Sequence, residues 1–181
     1  MLNGELVSLR EMEARDLDQV FLWDEQDEVY LFRGRYKFAT KEDLKNNFIG
    51  YSFSQKIFVM KNDQSLIGLA SYWAIDHRNK TCEFYAKIYD KDIDPQPYLT
   101  ESLDILIKFL FNHENLSRIY TLISDPSDPI KPVLKKMGFL KEGTLREHRF
   151  IKGQYVDTDV YGQLAGEKKL ANIEPIQRRD V

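Results

Sequence analysis

The sequence predicts an α/β fold built on a mixed sheet flanked by helices. Two observations carry that expectation. Apolar–polar alternation marks strands at residues 5–10, 56–60, 65–75, 81–89 and 116–124 and a closing hairpin at 139–149 and 154–164. Helical spacing interrupts the strands twice in the second half, at 98–111 and 130–137. Strands clustered and then broken by helices form a mixed sheet rather than separate layers.

The elements follow in order. After the first strand, residues 11–16 turn the chain. Leu17, Val20, Phe21 and Trp23 keep helical spacing, with Asp16 as the expected N-cap. Residues 24–35 are charged, contain Gly34 and read as a loop. Thr40 is the next expected N-cap, with Asp43 at N3 and a helix through Leu44 and Phe48. Asn62-Asp63-Gln64 turns the strand at 56–60 into that at 65–75, and residues 76–80 turn it again into the strand at 81–89. A polar, proline-marked turn at 90–97 precedes the amphipathic helix. Pro132 fits the first turn of the short helix, and Gly138 its C-terminal cap. Lys152-Gly153 is the last hairpin turn. Residues 1–165 read as one domain, and 166–181 as a polar tail.

Composition narrows the function. The chain has 181 residues, 43% hydrophobic and 30% charged, which suits one globular domain with a full core. A net charge of −3 gives no bulk attraction to nucleic acid. No apolar run reaches membrane-spanning length and no signal peptide is evident, so a cytoplasmic location is expected. The single cysteine, Cys82, excludes an intrachain disulfide, and His77, His113 and His148 are too dispersed to suggest a metal.

The stretch at 81–112 organises the rest. A strand that feeds a helix through a short loop leaves backbone N–H groups at the helix start, and such a site attracts phosphate.

Several patterns resemble the GCN5-related N-acetyltransferases, in the branch of the RimJ/RimL-type and polyamine acetyltransferases. They are LVSLREMEARDLDQV at the start, LIGLASYWAIDHRNKTCEFYAKI in the middle, and the ending with Gly138-Phe139, Glu142-Gly143 and Gly153-Gln154-Tyr155-Val156-Asp157. The resemblance covers about residues 6–164. It implies a mostly antiparallel sheet with splayed central strands and acetyl-CoA as cosubstrate. The acceptor would be a primary amine of a small molecule or a peptide N-terminus; a homodimer is compatible with either.

The resemblance also implies site residues. Glu83, in the family's "EF" position, is the expected base. It would take the proton of an alkylammonium whose pKa lies near ~10. The structural reading of the same residue is a solvent-facing strand position or an ion pair with Arg78 or Lys87. Backbone near Lys87, Ile88 and Tyr89 would meet the oxyanion. Gln96, Tyr98, Leu99 and Thr100 would meet the pyrophosphate, and Lys135 a phosphate. Ser127 is the candidate acid, with Tyr120 and Tyr98 behind it. Trp23, Asp24, Glu28, Tyr72 and Trp73 are the expected acceptor wall, with Tyr30 and Phe32 beside them.

Two departures stand out. The family's glycine-rich loop is here Pro95-Gln96-Pro97-Tyr98-Leu99-Thr100-Glu101, without glycine, although Thr100-Glu101-Ser102-Leu103 keep the family's helix start. Ser127 stands where the family has Asn, Ile130 where RimL-type members have Ser, and Leu134 where polyamine-type members have Tyr. Two alternatives therefore stay open: a catalytically weakened binding protein of this fold, or an acyltransferase using a carrier-protein thioester.

Overall fold

The computed structural model describes residues 1–26, 40, 42, 45, 46, 55–62 and 65–167, with backbone alone for 24–26 and 55. Its strands are β1 (Leu2–Asn3), β2 (Ser8–Glu11), β3 (Gln55–Lys61), β4 (Leu66–Asp76), β5 (Thr81–Ile88), β6 (Arg118–Ile123), β7 (Leu140–Ile151) and β8 (Gln154–Leu164). The helices are α1 (Leu17–Gln26), α2 (Pro95–Asn112) and α3 (Ile130–Lys136). Thr40 lies in a bend, and Glu42, Lys45 and Asn46 are helical. Gly34, Asp43, Leu44, Phe48 and residues 168–181 lie outside the described residues.

One eight-stranded sheet runs β1-β2-β3-β4-β5-β6-β8-β7. Every neighbouring pair is antiparallel except β5–β6. The parallel pair is where α2 crosses over, as a parallel connection requires. In the β7–β8 turn Lys152 has φ 51° and Gly153 φ 80°. Two successive positive φ values match the twist of a tight hairpin.

α2 buries Leu99, Leu103, Leu106 and Leu110, one stripe at helical spacing, against the sheet. With Leu9, Met60, Phe84, Ile119 and Leu134 they form the main core. A second cluster under α1 joins Val20, Trp23, Ile57, Val59, Leu69 and Tyr89. The sheet is therefore covered on both faces.

Three boundaries differ from the sequence reading. The strand expected at 5–10 is β2 and begins at Ser8, because Gly4–Val7 is a turn closed by Gly4 N–H to Val7 O at 2.9 Å, and the short β1 before it was not expected. Asp16 does not cap α1 but ends a 3-10 turn. Only 4% exposed, its carboxylate accepts Arg10 at 3.0 and 2.8 Å and the amide of Glu13 at 2.7 Å. The central helix begins at Pro95, not Tyr98. Asp94 caps it by accepting Gln96 N–H at 3.0 Å, and Pro95 and Pro97 fall in the first turn, where a missing N–H costs no helical bond.

Candidate functional site

β5 and β6 pair for only three residues, Thr81↔Arg118, Cys82↔Ile119 and Glu83↔Tyr120. Beyond them β5 stays with β4 as far as Ile88↔Gly68. β6 stays with β8 as far as Ile123↔Asp159. A gap thus opens between the two central strands from Glu83 onward. At its far end Tyr89 N–H is taken by Ile67 O at 2.9 Å, on the β4 side. Strand alternation then turns the N–H groups of Ile88 and Ala86 the other way, into the gap. Gly68 allows the close approach there: a Cβ on it would lie 2.3 Å from Lys87 O.

Alternation also sorts the side chains of β5. Cys82, Phe84, Ala86 and Ile88 join the main core. Glu83, Tyr85 and Lys87 alternate with them, and Tyr85 also packs against the edge of the main core. Glu83 is 1% exposed at the last paired position, between Trp73 of β4 and Tyr120 of β6. Lys87 places its ammonium 5.2 Å from the centre of the Tyr89 ring, which stacks on Trp23 at 5.0 Å. Tyr85 donates its hydroxyl to Asp128 Oδ2 at 2.8 Å, reaching from β5 to the loop after β6. Asp128 Oδ1 accepts Ile130 N–H at 3.0 Å. Burial pushes the Asp128 carboxyl above the ordinary range, against the opposing pull of the Ile130 amide, Tyr85 and Lys87.

The start of α2 corrects the expected anion site. Tyr98, Leu99 and Thr100 lie past the first turn, so their amides serve the helix's own carbonyls. Of the first-turn donors, Pro95 and Pro97 have none and Gln96 gives its own to Asp94. The Gln96 side chain reaches across to Pro129 O at 2.8 Å. Thr100 Oγ1 bonds Gln96 O at 2.7 Å, and the Leu99 side chain is 1% exposed in the core.

The other expected residues divide. Tyr72 is removed from the acceptor wall. It points to the face opposite Trp73, is 2% exposed, packs on Phe58 and Phe109, and bonds Glu114 at 3.3 Å. Trp23 is buried and stacks on Tyr89. Asp24 is helical in its backbone. Glu28, Tyr30 and Phe32 lie outside the described residues. Ser127 is exposed and turns its hydroxyl to Asp125 Oδ1 at 2.7 Å. Lys135 is exposed in the last turn of α3. Tyr120 lies beside Glu83 where the strands are still joined, with Arg118 over its ring. Tyr85 and Asp128 were not anticipated. The spacing of Tyr85 two residues after Glu83 on one strand was the available signal. Among the described residues no group of His, Cys, Asp and Glu is placed to hold a metal ion, and no helix is long and apolar enough to cross a membrane.

A strand pair that parts beside a buried carboxylate, with strand amides turned into the opening, describes a class of acyl-transfer fold. The family model described as "Acetyltransferase (GNAT) domain" matches residues 9–160, and the chain belongs to that family. It is 28% identical over 158 residues to spermidine N(1)-acetyltransferase of Escherichia coli K12, covering 86% of this chain and 84% of that protein. It is 26% identical over 129 residues to ribosomal-protein-serine acetyltransferase of the same organism, covering 69% and 70%. A solved structure of spermidine N-acetyltransferase from Vibrio cholerae, in complex with CoA and spermine, shares the fold. Its TM-score is 0.81 at 20% identity, over 91% of this chain and 98% of that one.

Proposed function

We propose that the protein transfers an acetyl group from acetyl-CoA to a primary amine, on a small molecule or a peptide N-terminus. The observation that carries the reading is the burial of Glu83 at the vertex of the β5–β6 gap. Membership of the acetyltransferase family and the similarity to spermidine and ribosomal-protein-serine acetyltransferases support it.

Glu83 accepts the ammonium proton of the acceptor, directly or through one water, and so makes a nucleophile. Ile88 N–H, turned into the gap, receives the negative charge that grows on the thioester oxygen as the amine attacks. Trp73 and Tyr120 flank Glu83 and limit water around it. The carbon–nitrogen bond forms, the carbon–sulfur bond breaks, and the thiolate departs along the gap. Side-chain cations such as Lys135 carry the phosphate contacts in this reading.

One observation favours a second donor. The first turn of α2 combines Pro95, Pro97 and an Asp94 carboxylate, which suits a diphosphate poorly. A thioester on a carrier protein asks less of that turn. The two donors separate by comparing acetyl-CoA with acetyl-pantetheine, which has the same thioester and no diphosphate. Similar kcat/KM for the two supports the carrier-type donor. A loss of 100-fold or more for acetyl-pantetheine supports CoA.

The founding test is thermal denaturation with acetyl-CoA, followed by thiol release against a panel of amines. Ligand at about 100 times Kd adds about 2.7 kcal/mol, or roughly 5–10 °C for a domain of this size. A shift with amine-dependent thiol release supports the enzyme. A shift without release leaves a binding protein, and neither shift nor release at millimolar acetyl-CoA removes the CoA reading.

A further inference from the structure

The departing thiolate needs a proton, and the positions where relatives of this fold are expected to carry a hydroxyl do not supply one. Leu134 is wholly buried in the core, and so is Ile130. Ser127 is exposed and committed to Asp125. Tyr120 sits at the closed vertex, where β5 and β6 are still paired. Tyr98 is on α2, whereas Tyr85, which packs on the same main core, is on β5.

Tyr85 differs from all of these. It lies on β5 beyond the last β5–β6 pair, so its strand borders the gap. It shares a face with Glu83, two residues away, about 7 Å along the strand. It is half-buried, and its hydroxyl crosses to the loop on the other side of the gap, 2.8 Å from Asp128. Asp128 is itself fixed, its carboxylate accepting Ile130 N–H at 3.0 Å and its carbonyl accepting Lys131 N–H at 3.0 Å.

We propose, on the acetyltransferase reading above, that Tyr85 is the acid that protonates the leaving thiolate and that Asp128 positions it. The Tyr85 O–H bond breaks and the proton moves to sulfur as the carbon–sulfur bond opens. The amine proton goes separately to Glu83 and on to solvent. The hydroxyl turns from Asp128 Oδ2, its acceptor at 2.8 Å, to the sulfur as the thiolate forms. The phenolate left behind takes a proton from water. The family's acid is expected on the helix after β6; here the chemistry moves to the strand on the opposite side of the gap.

The test is steady-state turnover of Tyr85→Phe, Asp128→Asn, Asp128→Ala and the Tyr85→Phe/Asp128→Ala double variant. Thermal denaturation with and without acetyl-CoA accompanies each. Tyr85→Phe should lower kcat about 100-fold, with KM for acetyl-CoA within threefold and the CoA-induced shift retained. Asp128→Asn, which still pairs with the phenol, should lose less than tenfold. Asp128→Ala should approach Tyr85→Phe, and the double variant should be no slower than Tyr85→Phe alone. Turnover of Tyr85→Phe within threefold of wild type would overturn the proposal, as would additive losses in the double variant. Loss of the CoA shift in Tyr85→Phe would also overturn it, because the residue would then be holding the donor. Wild type without turnover is a separate result that removes the underlying reading.

Discussion

The Glu101 carboxylate reaches from α2 to the backbone amide of Val7, 2.7 Å away, and takes the amides of Leu6 and Glu5 at 2.8 and 2.7 Å as well. Three consecutive N–H groups converge on one anion, the arrangement that elsewhere holds phosphate. Here the protein fills it with its own side chain, which fixes the N-terminal turn to the central helix. Gly4 belongs to the same unit, since a Cβ on it would lie 2.5 Å from the Glu101 carboxylate carbon. Glu101→Ala should cost about 2–3 kcal/mol through lost charge-assisted bonds, lowering Tm by roughly 5–10 °C. Gly4→Ala should be destabilising in wild type and nearly neutral in Glu101→Ala. Equal effects of Gly4→Ala in both backgrounds would show that the crowding is not with Glu101.

That contact shows where the sequence was legible. Periods of two and 3.6 located the described strands other than β1, and the described helices, within a few residues, because a buried face requires them. Glu83 was picked out by the family's "EF" position, with a carboxylate inside a strand as the supporting signal. The start of α2 was not, because Pro95 and Pro97 look like breakers until Asp94 is recognised as the cap that places them in the first turn. Tyr72 and Trp73 were assigned to one wall although neighbours on a strand face opposite ways. The pairs Glu101–Val7 and Tyr85–Asp128 join residues 94 and 43 apart, and no local pattern encodes them.

The outer hairpin carries an acid-sensitive ion cluster. Asp159 accepts Lys141 at 2.6 Å, Lys131 at 3.1 Å and Thr144 at 2.9 Å. Burial pushes its carboxyl up, but the bonds from Lys141, Lys131 and Thr144 outweigh that and bring it from 3.8 to about 2. A carboxyl depressed on folding stabilises the native state above its unfolded value of ~3.9 and loses that contribution as pH falls through the folded value. Asp159→Asn should therefore be less stable than wild type at pH 7, and the gap in Tm should close between about pH 4 and 2. A gap that stays constant over that window would exclude Asp159 as its source.

Cys82 is fully buried on β5 beside Glu83. Burial, then the charges of Glu114 and Glu83, push its thiol up to about 12. A thiol held neutral and out of solvent does not react with disulfide reagents. Native protein at pH 8 should show no labelling in an hour, and one thiol per chain on unfolding, at the rate of unfolding. Fast labelling of native protein would mean that β5 opens locally. The same inertness makes CoA thiol release readable without background from the protein.

Glu83→Gln tests the base. An alkylammonium with a pKa near ~10 is almost wholly protonated at pH 7, and glutamine cannot take its proton. Turnover at pH 7 should fall about 10²–10⁴-fold, with the acetyl-CoA thermal shift preserved. The residual rate should climb about tenfold per pH unit toward ~10, as solvent supplies the free amine that the carboxylate no longer makes. Wild type should show a shallower rise over the same range. The pH dependence separates this role from a structural one: a variant that is merely misshapen loses rate equally at every pH. A rate within threefold of wild type at pH 7 would release Glu83 from the role. The buried carboxylate would then be a packing feature of the strand vertex, with the amine deprotonated elsewhere.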